Sequence, residues 1–143
     1  MTTAHHPPDR LLQAALIYLA GSALLVGIPA TLAPQTFFDD FPFVANWVDL
    51  LGVYNEHLTT DTGGLYLGFA LLFTWAAVTP DRALVRPLCF AWLVAQTLHL
   101  VFHLTHLDGY SVADGVTQTA SLVALVAVGL LVLARARSEG RPA

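Results

Sequence analysis

Four long runs of apolar residues divide the chain, with short polar stretches between them. The runs cover about 11–33, 60–78, 87–107 and 112–134, and a helix needs about 20 such residues to cross a bilayer. Because the runs are continuous and do not alternate at every second residue, they predict transmembrane helices and not barrel strands. The predicted fold is all-α, an integral membrane bundle of four antiparallel helices.

The only long connection, between the first two runs, is rich in aromatic residues. A polar loop would be fully solvated, whereas aromatic side chains favour the membrane–water interface. The pattern therefore predicts an amphipathic outer connection, which either anchors the chain at the interface or folds over the bundle as a lid. Its aromatic residues are Phe37, Phe38, Phe41, Phe43, Trp47 and Tyr54.

The basic residues all fall on one side of the predicted membrane domain. With four spans the connections alternate between the two sides, and cytoplasmic connections carry the excess of arginine and lysine. The arginine side is thus predicted to be cytoplasmic, with cytoplasmic tails at 1–10 and 135–143 around a transmembrane domain at 11–134 in the cytoplasmic membrane. The first run is too long for the 7–15 apolar residues typical of a cleaved signal peptide, the alternative interpretation. The arginines are Arg10, Arg82, Arg86, Arg135, Arg137 and Arg141.

Composition supports lipid as the main partner of this chain. Charged residues make up only 11% of its 143 residues, against about 25% in soluble domains. The chain has no basic face for nucleic acid, and a single cysteine, Cys89, excludes an intrachain disulfide. The sequence leaves open whether the chain forms a homo- or hetero-oligomer.

The third predicted helix carries a polar stripe. Gln96, His99, His103 and His106 fall within about 80° of one another at the α-helical period. Ionisable groups inside a membrane are costly and usually face the bundle interior, where they find partners. The stripe is therefore predicted to face the other helices.

Polar residues on the second and fourth helices lie at a similar depth and could meet this stripe. Imidazole and carboxylate groups are ligands for zinc, iron or copper. The sequence therefore predicts an outward-facing pocket within the membrane that binds a divalent transition metal or a small polar ligand. Gly64 and Gly68 are expected to let another helix approach closely. The predicted metal ligands are His99, His103, His106, His57, Glu56 and Asp61, with Gln96, Asp114 and Gln118 in support.

Three other interpretations of these residues stay open. The cluster could only order the helices, as in an accessory or scaffold subunit; histidine could move protons; or two histidines could hold haem. The well-marked motifs of hydrolases and kinases are absent from the sequence. Whether the chain is an enzyme is therefore not decided, and metal-assisted or redox chemistry is the class expected if it is.

Two segments resemble a group of small four-helix membrane proteins from actinobacteria. They run from Tyr54-Asn55-Glu56-His57-Leu58 to Asp61 and from His99 to Asp108. More loosely, in size and helix count, the whole chain is similar to the DoxX-like membrane proteins. The first resemblance implies no activity, and the second implies a redox-associated membrane subunit.

Overall fold

The computed structural model describes residues 9–138, which are mostly helical and contain no strand. This confirms the all-α prediction. Four of the helices are long and apolar enough to cross a membrane, as predicted, and they indicate a multi-pass membrane protein. Most of the two predicted tails, 1–8 and 139–143, lies outside the described residues. The elements are α1 (Arg10–Leu32), α2 (Pro34–Asp40), a 3-10 turn (Asp49–Leu51), α3 (Glu56–Val78), α4 (Arg82–Thr105) and α5 (Val112–Ser138).

Two helices begin earlier than the apolar runs do, because polar residues cap them. The Asn55 side chain accepts the backbone N–H of Leu58 at 3.0 Å, so α3 begins at Glu56. The Asp81 side chain accepts the backbone N–H of Ala83 at 3.0 Å, so α4 begins at Arg82. Asn and Asp are favoured at this position because they satisfy N–H groups that the first helical turn leaves without partners.

Close packing of α1 on α3 depends on Gly63 and Gly27. A Cβ atom on Gly63 would lie 2.7 Å from the backbone nitrogen of Thr31, and one on Gly27 would lie 3.0 Å from Leu67. The prediction that Gly64 and Gly68 provide the close approach within the chain is wrong, since nothing lies within 4 Å of a Cβ at either position. Spacing alone did not identify which face of α3 meets α1.

The two ends of the bundle differ in chemistry. Asp9 and Arg135 form an ion pair of 3.5 Å at what we call the base end, and the neighbouring interior is apolar around the fully buried Leu16, Phe73 and Trp92. Residues 34–55, which we call the lid segment, lie at the other end, the lid end. The buried polar side chains Gln96, His103 and Gln118 lie between the apolar interior and this segment.

Candidate functional site: a polar chain beneath a lid

A continuous chain of hydrogen bonds joins α3, α4 and α5 inside the bundle. The Gln96 amide Nε2 lies 3.1 Å from the Tyr66 hydroxyl, and that hydroxyl lies 3.3 Å from His99 Nδ1. His99 Nε2 lies 2.9 Å from His103 Nε2, and His103 Nδ1 lies 2.8 Å from the Gln118 oxygen Oε1. We refer to these five side chains as the polar chain.

The donor and acceptor roles within the polar chain follow from its two ends. Gln118 Oε1 can only accept, so His103 Nδ1 carries a proton and His103 Nε2, in the neutral ring, accepts. His99 Nε2 must then donate to His103, which leaves His99 Nδ1 to accept from the Tyr66 hydroxyl. All four bonds are therefore satisfied, in one direction, with both imidazoles neutral.

Each end of the polar chain has a free amide atom. Gln96 Oε1 and Gln118 Nε2 are buried and have no hydrogen-bond partner among the described residues. Buried polar atoms are nearly always paired in folded proteins, and an unpaired one points to a missing ligand or water. Amides do not exchange protons readily at neutral pH. A chain of hydrogen bonds that ends in two amides is therefore better suited to binding a polar group of a ligand than to transporting protons.

A cavity of about 550 Å³ lies between the polar chain and the lid segment. Pockets for small molecules commonly measure about 300–1,000 Å³. Most of the wall is aliphatic or aromatic, and Tyr66, His99, His103 and Gln118 form a polar patch on it. None of the described residues that line the cavity is Asp, Glu or Arg, so the site has no fixed charge.

Trp47 fastens the lid segment to the start of α5. Its indole N–H donates to Asp114 Oδ1 at 3.4 Å, and its backbone carbonyl accepts the Tyr110 hydroxyl. Ser111 donates to the other Asp114 oxygen at 2.6 Å, which orients the carboxylate. Burial raises the pKa of the Tyr110 phenol; the nearby Gln118 amide opposes this, and the carboxylates of Asp49 and Asp114 add to the rise.

Aromatic contacts hold the lid segment together over the cavity. The rings of Phe37 and Phe41 lie 4.7 Å apart, and Phe41 meets Trp47 edge-on at 6.5 Å. All three residues line the cavity. The aromatic connection therefore has the placement of a lid, one of the two arrangements that its composition predicted.

The polar chain contains four of the predicted residues: Gln96, His99, His103 and Gln118. Asp114 is close to them but binds the lid segment and does not line the cavity.

The predicted residues at the start of α3 lie apart from the cavity. Glu56 is exposed. His57 Nε2 pairs with Asp61 Oδ2 at 3.3 Å on the exposed surface of α3. Because α3 begins as early as Glu56, its first turns carry these side chains to the rim of the bundle, where they partner each other.

His106 also departs from the predicted stripe. Helix α4 ends at Thr105, and His106 adopts a non-helical backbone with φ −132°. Its ring stacks on Phe102 at 4.1 Å, and its Nδ1 lies 2.8 Å from the Phe102 carbonyl oxygen. The helical period that placed His106 in line with His103 does not extend that far.

The structure does not bring the six predicted metal ligands together. Among residues 9–138, no group of three or more His, Cys, Asp or Glu side chains is arranged to hold a metal ion. Metal binding at His99 and His103 stays a prediction.

The sequence did not single out Tyr66, which joins Gln96 to His99. Its signal was present, since it is a phenol in the middle of an apolar span, where a hydroxyl needs a partner. Trp92, one helical turn before Gln96, packs beneath the site. Its indole N–H lies 3.4 Å from the Leu125 carbonyl oxygen, and its ring meets the Tyr66 ring edge-on at a centroid distance of 6.1 Å.

No protein-family model matches this chain, and no curated protein or solved structure is detectably similar to it. The resemblances to the actinobacterial four-helix proteins and to the DoxX-like proteins therefore stay predictions.

Proposed function

We propose that this chain is a multi-pass protein of the cytoplasmic membrane, an antiparallel bundle with both termini in the cytoplasm and the lid segment outside. The positive-inside distribution of arginine supports this orientation. The contacts of Gln13 with Ala77 and of Asp9 with Arg135 support the antiparallel order. Reporter fusions after Arg141 and within 39–49 test it: cytoplasmic and external signals are expected, and the reverse pattern would overturn it.

We further propose that the chain binds a small molecule with a mainly apolar body beneath the lid segment. The observation that carries this proposal is a cavity of about 550 Å³ with a mainly apolar wall and uncharged polar side chains. Such a combination is typical of ligand sites, in which a few polar groups orient a largely apolar molecule. The cavity wall favours a less polar ligand than the histidines alone predicted.

Mass spectrometry of the detergent-purified protein tests this proposal. Wild type should carry a co-purifying small molecule at close to one per chain, and Thr62→Phe, which fills the cavity, should lose it. Thr74→Phe is the matched control: both threonines donate to the carbonyl four residues earlier at 2.8 Å, but Thr74 does not line the cavity. No stoichiometric molecule in wild type would instead favour the scaffold alternative, in which the polar chain only orders the helices. Equal amounts in Thr62→Phe would place the molecule outside the cavity and refute the proposed site.

One observation favours a metal ion as a second candidate. The Nε2 atoms of His99 and His103 lie 2.9 Å apart, about 0.4 Å less than the roughly 3.3 Å between two nitrogens that share a tetrahedral ion at about 2.0–2.1 Å. Each Nδ1 also has a polar partner, Tyr66 or Gln118, as metal-bound histidines commonly do. Metal analysis of the purified protein should then find the ion in wild type and in His57→Ala/His106→Ala but not in His99→Ala/His103→Ala. No metal in wild type, or equal loss in both double variants, would refute the metal site.

A further inference from the structure

We infer that the ligand is an uncharged molecule dissolved in the bilayer, that the group it presents to Gln118 is an acceptor oxygen of the ketone, ester or ether type, and that it enters between α1 and α5. This inference rests on the proposed ligand-binding function and specifies the ligand class and its route.

The acceptor oxygen follows from the free end of the polar chain. Gln118 is 1% exposed, it lines the cavity, and its Nε2 has no hydrogen-bond partner among the described residues. The Tyr110 hydroxyl donates its own proton to the Trp47 carbonyl, and its oxygen can accept one N–H of the Gln118 amide. The amide Nε2 carries two hydrogens, so a second one stays available to a ligand. An unpaired donor in an apolar wall costs free energy that an acceptor on the ligand would recover.

The lack of charge on the ligand follows from the lining. A carboxylate, phosphate or ammonium group taken into an apolar cavity needs an opposite charge as partner. The described lining residues offer none, and both imidazoles are engaged in the neutral polar chain. A ligand with a formal charge would therefore be excluded by desolvation.

The route follows from which lining residues are exposed. Tyr18 and Leu25 on α1 are 46% and 57% exposed, and Ser121 on α5 is exposed as well. All three also line the cavity. Val53 and Leu58 are exposed lining residues too, but they lie at the lid end, so the exposed lining residues deeper within the spans are those on α1 and α5. At 1.5 Å per residue, Tyr18 lies about 12 Å from the start of α1 and Ser121 about 14 Å from the start of α5. These depths fall within the roughly 30 Å hydrocarbon layer, so the opening faces lipid.

Benzophenone is a suitable probe, because it is a neutral aromatic ketone that inserts into nearby C–H bonds under ultraviolet light. We would irradiate the full chain in liposomes with benzophenone or with its membrane-impermeant 4-sulfonate, and map labelled residues by peptide mass spectrometry. Benzophenone should label cavity residues such as Leu122 and Phe37, and the sulfonate should not. Excess dicyclohexyl ketone should reduce labelling at least fivefold more than dicyclohexylmethane, which lacks only the carbonyl oxygen.

Variants separate the parts of the inference. Gln118→Leu should reduce cavity labelling about tenfold, as expected for the loss of about 1.4 kcal/mol, whereas Gln13→Leu, at the base end, should not. Ser121→Trp should block entry between α1 and α5, whereas Val123→Trp on the same helix should not.

The failures are distinguishable from one another. Cavity labelling that ignores Gln118→Leu and is competed equally by ketone and hydrocarbon would overturn the acceptor oxygen but leave the proposed pocket standing. Labelling by the sulfonate, or undiminished labelling in Ser121→Trp, would overturn the lipid route. No labelling of the cavity by benzophenone would overturn both this inference and the proposed function.

Discussion

The hydrogen bond between His103 and Gln118 is where the polar chain crosses from α4 to α5, and we predict that replacing both partners costs less than the sum of the two single replacements. His103→Leu leaves both the Gln118 amide and the His99 Nε2–H without partners. Gln118→Leu leaves only His103 Nδ1–H unpaired. The double variant also leaves a single unpaired donor, on His99.

The expected size of this effect follows from the burial of the pair. Gln118 is 1% exposed and His103 is 7% exposed, and an unsatisfied buried group costs about 1–3 kcal/mol. Measured interhelical hydrogen bonds in membranes lie lower, at about 0.6 kcal/mol and up to about 1.7 kcal/mol, because freed groups find other partners. We therefore expect each single variant to lose about 1–3 kcal/mol, and a coupling energy of about 1–2 kcal/mol between the two positions.

Reversible unfolding in mixed detergent micelles, followed by circular dichroism, measures these free energies. The matched control is the cycle of His57→Leu and Asp61→Leu, which breaks another histidine contact of 3.3 Å between side chains that are 86% and 59% exposed. Water replaces that contact, so its coupling should be near zero. Additive effects of His103→Leu and Gln118→Leu, within about 0.5 kcal/mol, would refute the polar chain as described.

Three further predictions concern the packing and the lid segment. Gly63→Ala should lower the unfolding free energy by about 1–3 kcal/mol, because its Cβ would meet the backbone of Thr31 and Ala30; Gly64→Ala has open space and should not, and equal effects would contradict the packing. Asp114→Asn should speed backbone amide hydrogen exchange in the lid segment about fivefold, because weakening the contact with Trp47 costs about 1 kcal/mol of local stability. Asp108→Asn, at an exposed position, should leave the exchange rate unchanged. Equal rates in the two variants would show that Trp47 does not fasten the lid segment. The Tyr110 phenol has a pKa raised above 10.0, so the stability that wild type gains over Tyr110→Phe should be complete below pH 10 and lost as pH rises through the raised value. A gain that instead grew with pH above 10 would contradict that sign.

The apolar runs predicted the four long helices because lipid imposes a simple demand, about 20 apolar residues with every backbone group bonded internally. The same reasoning placed His99 and His103 inside the bundle, since buried imidazoles need partners. It failed at helix ends. Asn55 caps the start of α3, and His106 follows the last residue of α4. The spacing of apolar residues gives no information about where a helix begins or ends. Those few residues determined which histidines reached the cavity and which stayed at its rim.

The polar residues predicted a pocket, but not its apolar character, because the residues that form most of its wall lie outside the polar stripe. Their positions depend on how the lid segment folds back, which depends in turn on contacts made far along the chain, such as Trp47 with Asp114.

The polar chain gives the cavity a donor that is already in position. Gln118 would normally lose side-chain freedom on binding a ligand, and each such loss weakens affinity by about 0.5–1.5 kcal/mol. Here His103 holds Gln118 Oε1 at 2.8 Å, and His99 holds His103 in turn, so the orientation of the free N–H is fixed before any ligand arrives. The two histidines would then act as positioning residues for the amide, which is why their replacement should weaken ligand binding even if neither touches the ligand.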